Sequence, residues 1–204
     1  MSLLSSSVSV TRYIVDGTLE KPVLDRIYNG LTQNVIQEID GDQQEKTAGW
    51  TSFEHPYLPD FEGSSFSIGT YLVFSMRLDK KSIPPQTIKK RSAIEMAKIL
   101  AKSDRSHLSR NEKKTIKEHV MHELSRRIPA TPQVYDVIWN LEDSWLWFFT
   151  NLKAANEELE ALFQKSFNLR LIRLFPYTTA DRIAGLSDAN RDRVNQLTPT
   201  HFME

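Results

Sequence analysis

Apolar positions along the chain recur with two periods, and the switches between them divide it into elements. Residues 7–15, SVSVTRYIV, are rich in β-branched side chains and predict a strand. Thr18 then stands where a cap would open a helix over about 19–33, with Pro22 tolerated in its first turn. Val23, Leu24, Ile27 and Leu31 give that helix one apolar stripe. VIQEI, 35–39, reads as a short strand. Residues 40–64 read as a polar loop carrying Gly49-Trp50, Pro56 and Pro59, and 65–78 as a strand region bent at Gly69.

Pro84-Pro85 opens a helical section. Ile88, Ala93, Met96, Ile99 and Leu100 form an apolar arc on its first helix, and 103–109 is a turn. Ser109 and Glu112 then have the spacing of a capping box ahead of a second helix, which Pro129 and Pro132 end. PQVYDVIWNL and SWLWFFT, either side of Glu142-Asp143, predict a hairpin of buried strands. NLKAANEELEALFQKSF is an amphipathic helix, NLRLIRLF a final strand and TTADRIAGL a short helix. The chain from about 187 is polar and reads as a loose tail. The fold class expected is α+β: a two-layer body in the order β-α-β-β, two inserted helices, β-β-α-β, with a protruding basic helical hairpin. The domain division expected is one domain over 1–186, its hairpin insert at about 84–128, and a polar tail over 187–204.

Charge changes this picture. The 204 residues carry 26 Lys and Arg against 26 Asp and Glu, a formal net charge of zero. Residues 80–127 alone hold 14 basic and five acidic residues, net +9, which leaves −9 on the remainder. A basic segment on an acidic body is the electrostatic footprint of a polyanion binder. Arg110, Lys113, Lys114 and Lys117 share an arc of the second helix that Met121, Leu124 and Ile128 continue, so its first half should project and its second half pack on the body. Antiparallel pairing of the helices would bring Lys98, Lys102 and Arg105 toward Arg110, Lys113 and Lys114.

Other chemistry is thin. The chain has no cysteine, which removes disulfides, thiol nucleophiles and thiolate metal sites and fits a reducing cytoplasm. The start, MSLLSSSVSV, does not read as a signal segment, and no apolar run approaches the roughly 20 residues that span a bilayer. No phosphate-binding glycine loop, G-x-S-x-G or H-E-x-x-H occurs. His119 and His122 read as surface residues. Asp60, Glu62 and Asp79 are carboxylates of the kind a metal-dependent nuclease uses, but they lack diagnostic spacing. Trp139, Trp145 and Trp147 lie on apolar strands and read as core or interface, whereas Trp50 reads as the more exposed tryptophan.

One resemblance adds to this. The run Lys113-x-x-Ile116-Lys117-x-x-Val120-Met121-His122-x-Leu124-x-x-Arg127 resembles the recombination-associated RdgC family. So do the elements around it: Gly49-Trp50 after Lys46, the helix start from Pro84 to Lys89, the helix with Ala155, Glu158 and Leu159 ending in Phe163-Gln-Lys-Ser-Phe167, and the strand from Leu169 to Pro176. The resemblance covers roughly residues 8–185, as a short form lacking the family's C-terminal part. It implies a cytoplasmic, nucleoid-associated protein without catalytic activity or cofactor. Such a protein binds double-stranded DNA with little sequence preference, as a ring-like homodimer, and restrains recombinase-driven strand exchange. It carries over Lys89, Lys113, Lys117 and Arg127 as basic positions and gives His122 a structural role. Where members have an aromatic residue just past the matched arginine, this chain has Ile128-Pro129. The candidate DNA-binding set is Lys89, Lys98, Lys102, Arg105, Arg110, Lys113, Lys114, Lys117 and Arg127. The competing expectation is an interaction module whose basic hairpin docks an acidic partner or a second subunit.

Overall fold

The computed structural model describes residues 3–103 and 105–198. Its elements run β1 (Thr11–Asp16), α1 (Val23–Gln33), β2 (Lys46–Thr51), β3 (Ser67–Ile68), β4 (Tyr71–Lys80), α2 (Pro85–Ser103), α3 (Arg110–Arg127), β5 (Thr131–Asn140), β6 (Trp145–Phe148), α4 (Lys153–Phe167), β7 (Arg170–Leu174), α5 (Pro176–Ala184) and α6 (Asp188–Asn195). All strands pair antiparallel in one sheet ordered β2-β4-β5-β6-β1-β7, with β3 also on β4. The protein is α+β.

Strand β4 shows how the sheet is built. Leu72, Phe74, Met76 and Leu78 alternate toward α1 and α4, where they join Trp50, Trp139 and Phe163 in the main core. The opposite side of the same strand is buried but polar. Ser75 Oγ donates to Asp136 Oδ1 at 2.9 Å, and Asp136 also accepts the backbone N–H of Leu3 at 2.6 Å. Arg77 donates Nε and Nη2, one edge of its guanidinium, to the two oxygens of Asp79, and Nη2 also reaches Glu38, under the ring of Tyr57. The chain start and the 52–61 loop thus cover the outer face near β4. Nearer β6 that face is apolar and open, with Tyr71, Trp145 and Trp147 adjacent and Trp147 40% exposed.

Several expectations need correction. Pro22 is extended and occupies the cap position of α1, so the helix begins at Val23 and Thr18 does not cap it. VIQEI is not a strand; only Val35 bridges, parallel, to Trp50. The strand lies later, at β2, inside the segment read as a polar loop. Trp50, expected to be exposed, is fully buried. Its neighbour explains the close approach: a Cβ on Gly49 would sit 2.4 Å from Ile36 Cα and 2.5 Å from Ile36 N. Trp50 N–H donates to the Asn34 carbonyl and Ile36 N–H to the Trp50 carbonyl across that contact. The polar stretch from 187, expected to be loose, contains the exposed helix α6.

Two outcomes test this packing. Gly49→Ala should cost about 1–3 kcal/mol through overpacking against backbone that cannot rotate away, read by urea denaturation; an unchanged midpoint would mean that residues 34–36 do not lie on β2. Tyr13 donates its hydroxyl to Asn156 and Glu160, and burial, then the Glu160 carboxylate, push its ionisation well above the ordinary tyrosine range. A raised value means that this contribution is complete below the unfolded tyrosine pKa of about 10 and is lost as pH rises toward the folded value. Tyr13→Phe should therefore flatten the alkaline limb of a stability–pH curve.

Candidate nucleic-acid interface

The α2–α3 hairpin leaves the sheet where β4 ends and returns where β5 begins, and those strands pair from Tyr71↔Asn140 to Lys80↔Thr131. Its helices have the right local signals. Pro84 supplies the first carbonyl of α2 to Thr87 and Ile88. On α3 the capping box is complete: Ser109 Oγ accepts the Glu112 N–H at 3.2 Å, and Glu112 Oε2 accepts the Ser109 N–H at 2.8 Å. Those bonds from Ser109, and then Arg105 beside it, hold the Glu112 carboxyl below the usual carboxylate range.

The hairpin stands on a polar clamp. Lys81, only 5% exposed, donates its ammonium to the carbonyls of Asp42 at 2.6 Å and Ser125 at 2.8 Å. Ser125 Oγ donates to the Gln43 carbonyl, Lys81 N–H to the Glu45 carbonyl, and Ala130 N–H to Asp40 Oδ1. Residues 40–45 therefore buckle the base of both helices. Beyond that base little is buried among the described residues: Ser92 on α2, Val120 and Ser125 on α3, and Leu108 in the turn.

All nine expected basic residues are exposed. Lys98 pairs with Glu95 at 2.7 Å, Arg105 with Glu112 at 3.0 Å and Lys114 with Glu118 at 3.8 Å. Lys89, Lys102, Arg110, Lys113, Lys117 and Arg127 have no carboxylate partner among the described residues. The nine do not form one patch. Lys102, Arg105 and Arg110 sit at the tip, where α2 ends and α3 begins. Lys89, Lys113, Lys114 and Lys117 flank a groove of about 660 Å³ whose floor includes Pro85, Ile88, Ser92 and Met96 of α2. Arg127 lies on another cleft with Arg91, Glu95 and Glu123.

The groove corrects the helical-wheel reading of α3. Its buried apolar position is Val120, one step round from the arc through Lys117 and Met121, and Met121 and Leu124 are only half-buried. The lysine arc therefore flanks the seam with α2. The missed signal was on α2, whose apolar arc exceeds what α3 covers: Ala93 and Ile99 remain exposed. His119 is exposed, 3.8 Å from Glu123, and His122 is exposed as well, outside any packed core. Asp79 is buried and engaged by Arg77, whereas Asp60 and Glu62 are exposed. Among the described residues no three His, Asp or Glu side chains gather as a metal site, and no helix is long and apolar enough to cross a membrane.

With the hairpin and its clamp in view, the family can be assigned. Residues 11–184 match the family model described as "Putative exonuclease, RdgC". The chain belongs to the RdgC family. No curated protein matches the chain. The matched span takes in the sheet, α1, α4 and the whole basic hairpin of this RdgC-family chain.

Lys81→Met should cost about 1–3 kcal/mol, because it leaves buried carbonyls of Asp42 and Ser125 without a donor. Hydrogen exchange would locate the effect: amides of α3 near Ser125 should exchange faster while those of α4 stay protected. Uniform loss of protection would show that the clamp is not local.

Proposed function

We propose that this RdgC-family protein is a non-enzymatic, sequence-tolerant binder of double-stranded DNA, acting on the nucleoid to modulate recombination by coating or encircling DNA. The observation that carries the reading is the hairpin: nine exposed basic side chains, six of them without a carboxylate partner among the described residues, on helices raised on a braced base. Membership of the family supports a DNA-related, recombination-associated role. Encirclement calls for a second subunit, and a homodimer is the assembly expected.

The mechanism is electrostatic. Lysine and arginine that neutralise phosphates release condensed counterions, so affinity falls steeply with salt. Phosphate contacts position a protein without reading sequence, whereas base readout needs side chains set into a groove against the base edges. The apolar groove between the lysines favours a second reading, in which the hairpin is a protein-docking element.

The test is fluorescence anisotropy of a labelled duplex of about 30 base pairs across a salt series. Wild type should bind with a steep slope, and Arg110→Ala/Lys113→Ala/Lys114→Ala/Lys117→Ala should lower that slope by about three to four. Absence of binding at low salt would overturn the DNA reading. The family description adds a nuclease arm: with magnesium or manganese an end-labelled duplex should remain full length, and shortening would replace a passive binder with a nuclease.

A further inference from the structure

The two walls of the α2–α3 groove differ in kind. On α2, Pro85, Ile88, Ser92 and Met96 line it at spacings of three or four, so they form one straight stripe of roughly 16 Å at about 1.5 Å per residue. α3 lines it with lysine alone: Lys113, Lys114 and Lys117. Lys89 adds a fourth ammonium from α2, and Lys89, Lys113 and Lys117 have no carboxylate partner among the described residues. Ser92 is 6% exposed, and its hydroxyl has no hydrogen-bond partner. A buried hydroxyl left unpaired is costly, and the chain on its own does not supply the group that would satisfy it.

These features select an occupant. Phosphates would satisfy the lysines but leave the apolar stripe in water, so a bare polyanion does not account for the groove. An extended peptide would press its backbone N–H and C=O groups against helix sides whose own backbone is already bonded. A helix keeps those bonds internal and can lay an apolar stripe of its own along that of α2. Carboxylates on its flanks would meet the lysines. Among the described residues this chain has no such helix to offer a second copy. α1, α2 and α5 carry one carboxylate each, and α3 is the basic helix itself. α4, with Glu157, Glu158 and Glu160, turns its apolar stripe into the core. α6, with Asp188 and Asp192, has only Ala189 and Val194 as apolar positions.

We propose that the α2–α3 groove binds an acidic amphipathic helix of another protein, about three turns long. The apolar stripe of that helix covers Pro85, Ile88 and Met96, and a polar group beside the stripe bonds the Ser92 hydroxyl. Its carboxylates meet Lys89, Lys113, Lys114 and Lys117. The inference rests on the docking reading of the hairpin, names the chemistry of the partner, and does not depend on DNA binding.

The probe is a fluorescent, end-capped synthetic peptide of about four helical turns, with leucines at i, i+3 and i+7, glutamates flanking them and alanine elsewhere. Its binding is read by anisotropy at low salt without DNA. A composition-matched isomer scatters the leucines round the helix. Wild type should bind the probe at least about tenfold more tightly than the isomer, because leucines off the stripe stay in water. Lys113→Glu/Lys117→Glu should weaken the probe at least about tenfold by setting like charges together, and should bind a lysine-for-glutamate version of it instead. Met96→Gln, which changes no charge, should weaken the probe as well. Circular dichroism and melting of each variant establish that it is folded. Equal binding of probe and isomer would overturn the proposal and leave a basic patch that docks acidic segments of any shape. Binding of neither would overturn it together with the docking reading. Probe affinity that falls as the protein is concentrated would also overturn it, by showing that a second copy covers the groove. Unchanged binding by either variant would put the probe elsewhere on the chain and overturn it too. Duplex binding is measured separately, so failure here leaves the DNA reading standing.

Discussion

The indole of Trp50 joins the two layers of this protein, and much of the fold follows from seating it. Its Nε1–H donates to Ser166 Oγ at 2.7 Å, its ring meets Phe74 edge-on at 5.1 Å, and Phe167 lies at 5.9 Å. A buried tryptophan contributes a large apolar area but needs a partner for its N–H. Ser166 at the end of α4 supplies that partner, which fixes how far α4 runs along the sheet. Small residues then become necessary around it. Gly49 lets residues 35–36 cross β2, and Gly30 lets α1 approach Phe167, where a Cβ would fall 2.6 Å from the ring. The ion pair Lys46–Glu158 closes the same junction at the surface.

That junction separates two kinds of residue among those by which the family is recognised. Trp50, Phe167 and the Lys46–Glu158 pair serve the contact between β2 and α4, Gly49 the crossing of residues 35–36 and Phe163 the packing on Trp139, so all of them bear on the fold. Lys89, Lys113 and Lys117 do no comparable structural work: they are exposed, line an open groove and lack carboxylate partners among the described residues. Lys81 shows the contrast within one basic segment, since its ammonium is spent on two backbone carbonyls at the hairpin's foot. Burying a cation is costly unless its donors are satisfied, and here three electrostatic needs are met at once: the lysine, the Asp42 carbonyl and the Ser125 carbonyl.

Most of the body was legible because its elements carry periodic apolar patterns. β5, β6, α4 and β7 are dense enough in large side chains to be read directly, and the hairpin is announced by paired prolines and a capping box. β2 was illegible for a physical reason. KTAGWT has no alternation, because Gly49 is needed for backbone approach and Lys46 for an ion pair, and Trp50 alone signals burial. The outward face of β4 is illegible for another reason: Arg77 and Asp79 are polar yet covered, because each satisfies the other beneath Tyr57. The basic surface was legible residue by residue but not as a shape. Helical spacing places the lysines on an arc, yet only the packing of Val120 against α2 decides whether that arc closes the seam or borders a groove.

The same lysines enter both readings of the hairpin, which imposes a thermodynamic relation between them. A lysine that neutralises a DNA phosphate cannot also meet a carboxylate of a docked protein. On these readings duplex DNA and a protein partner bind competitively at the groove, and linkage makes the effect reciprocal: each weakens the binding of the other by the same factor. The basic tip, with Lys102, Arg105 and Arg110, lies outside the groove and stays open to phosphate in either state.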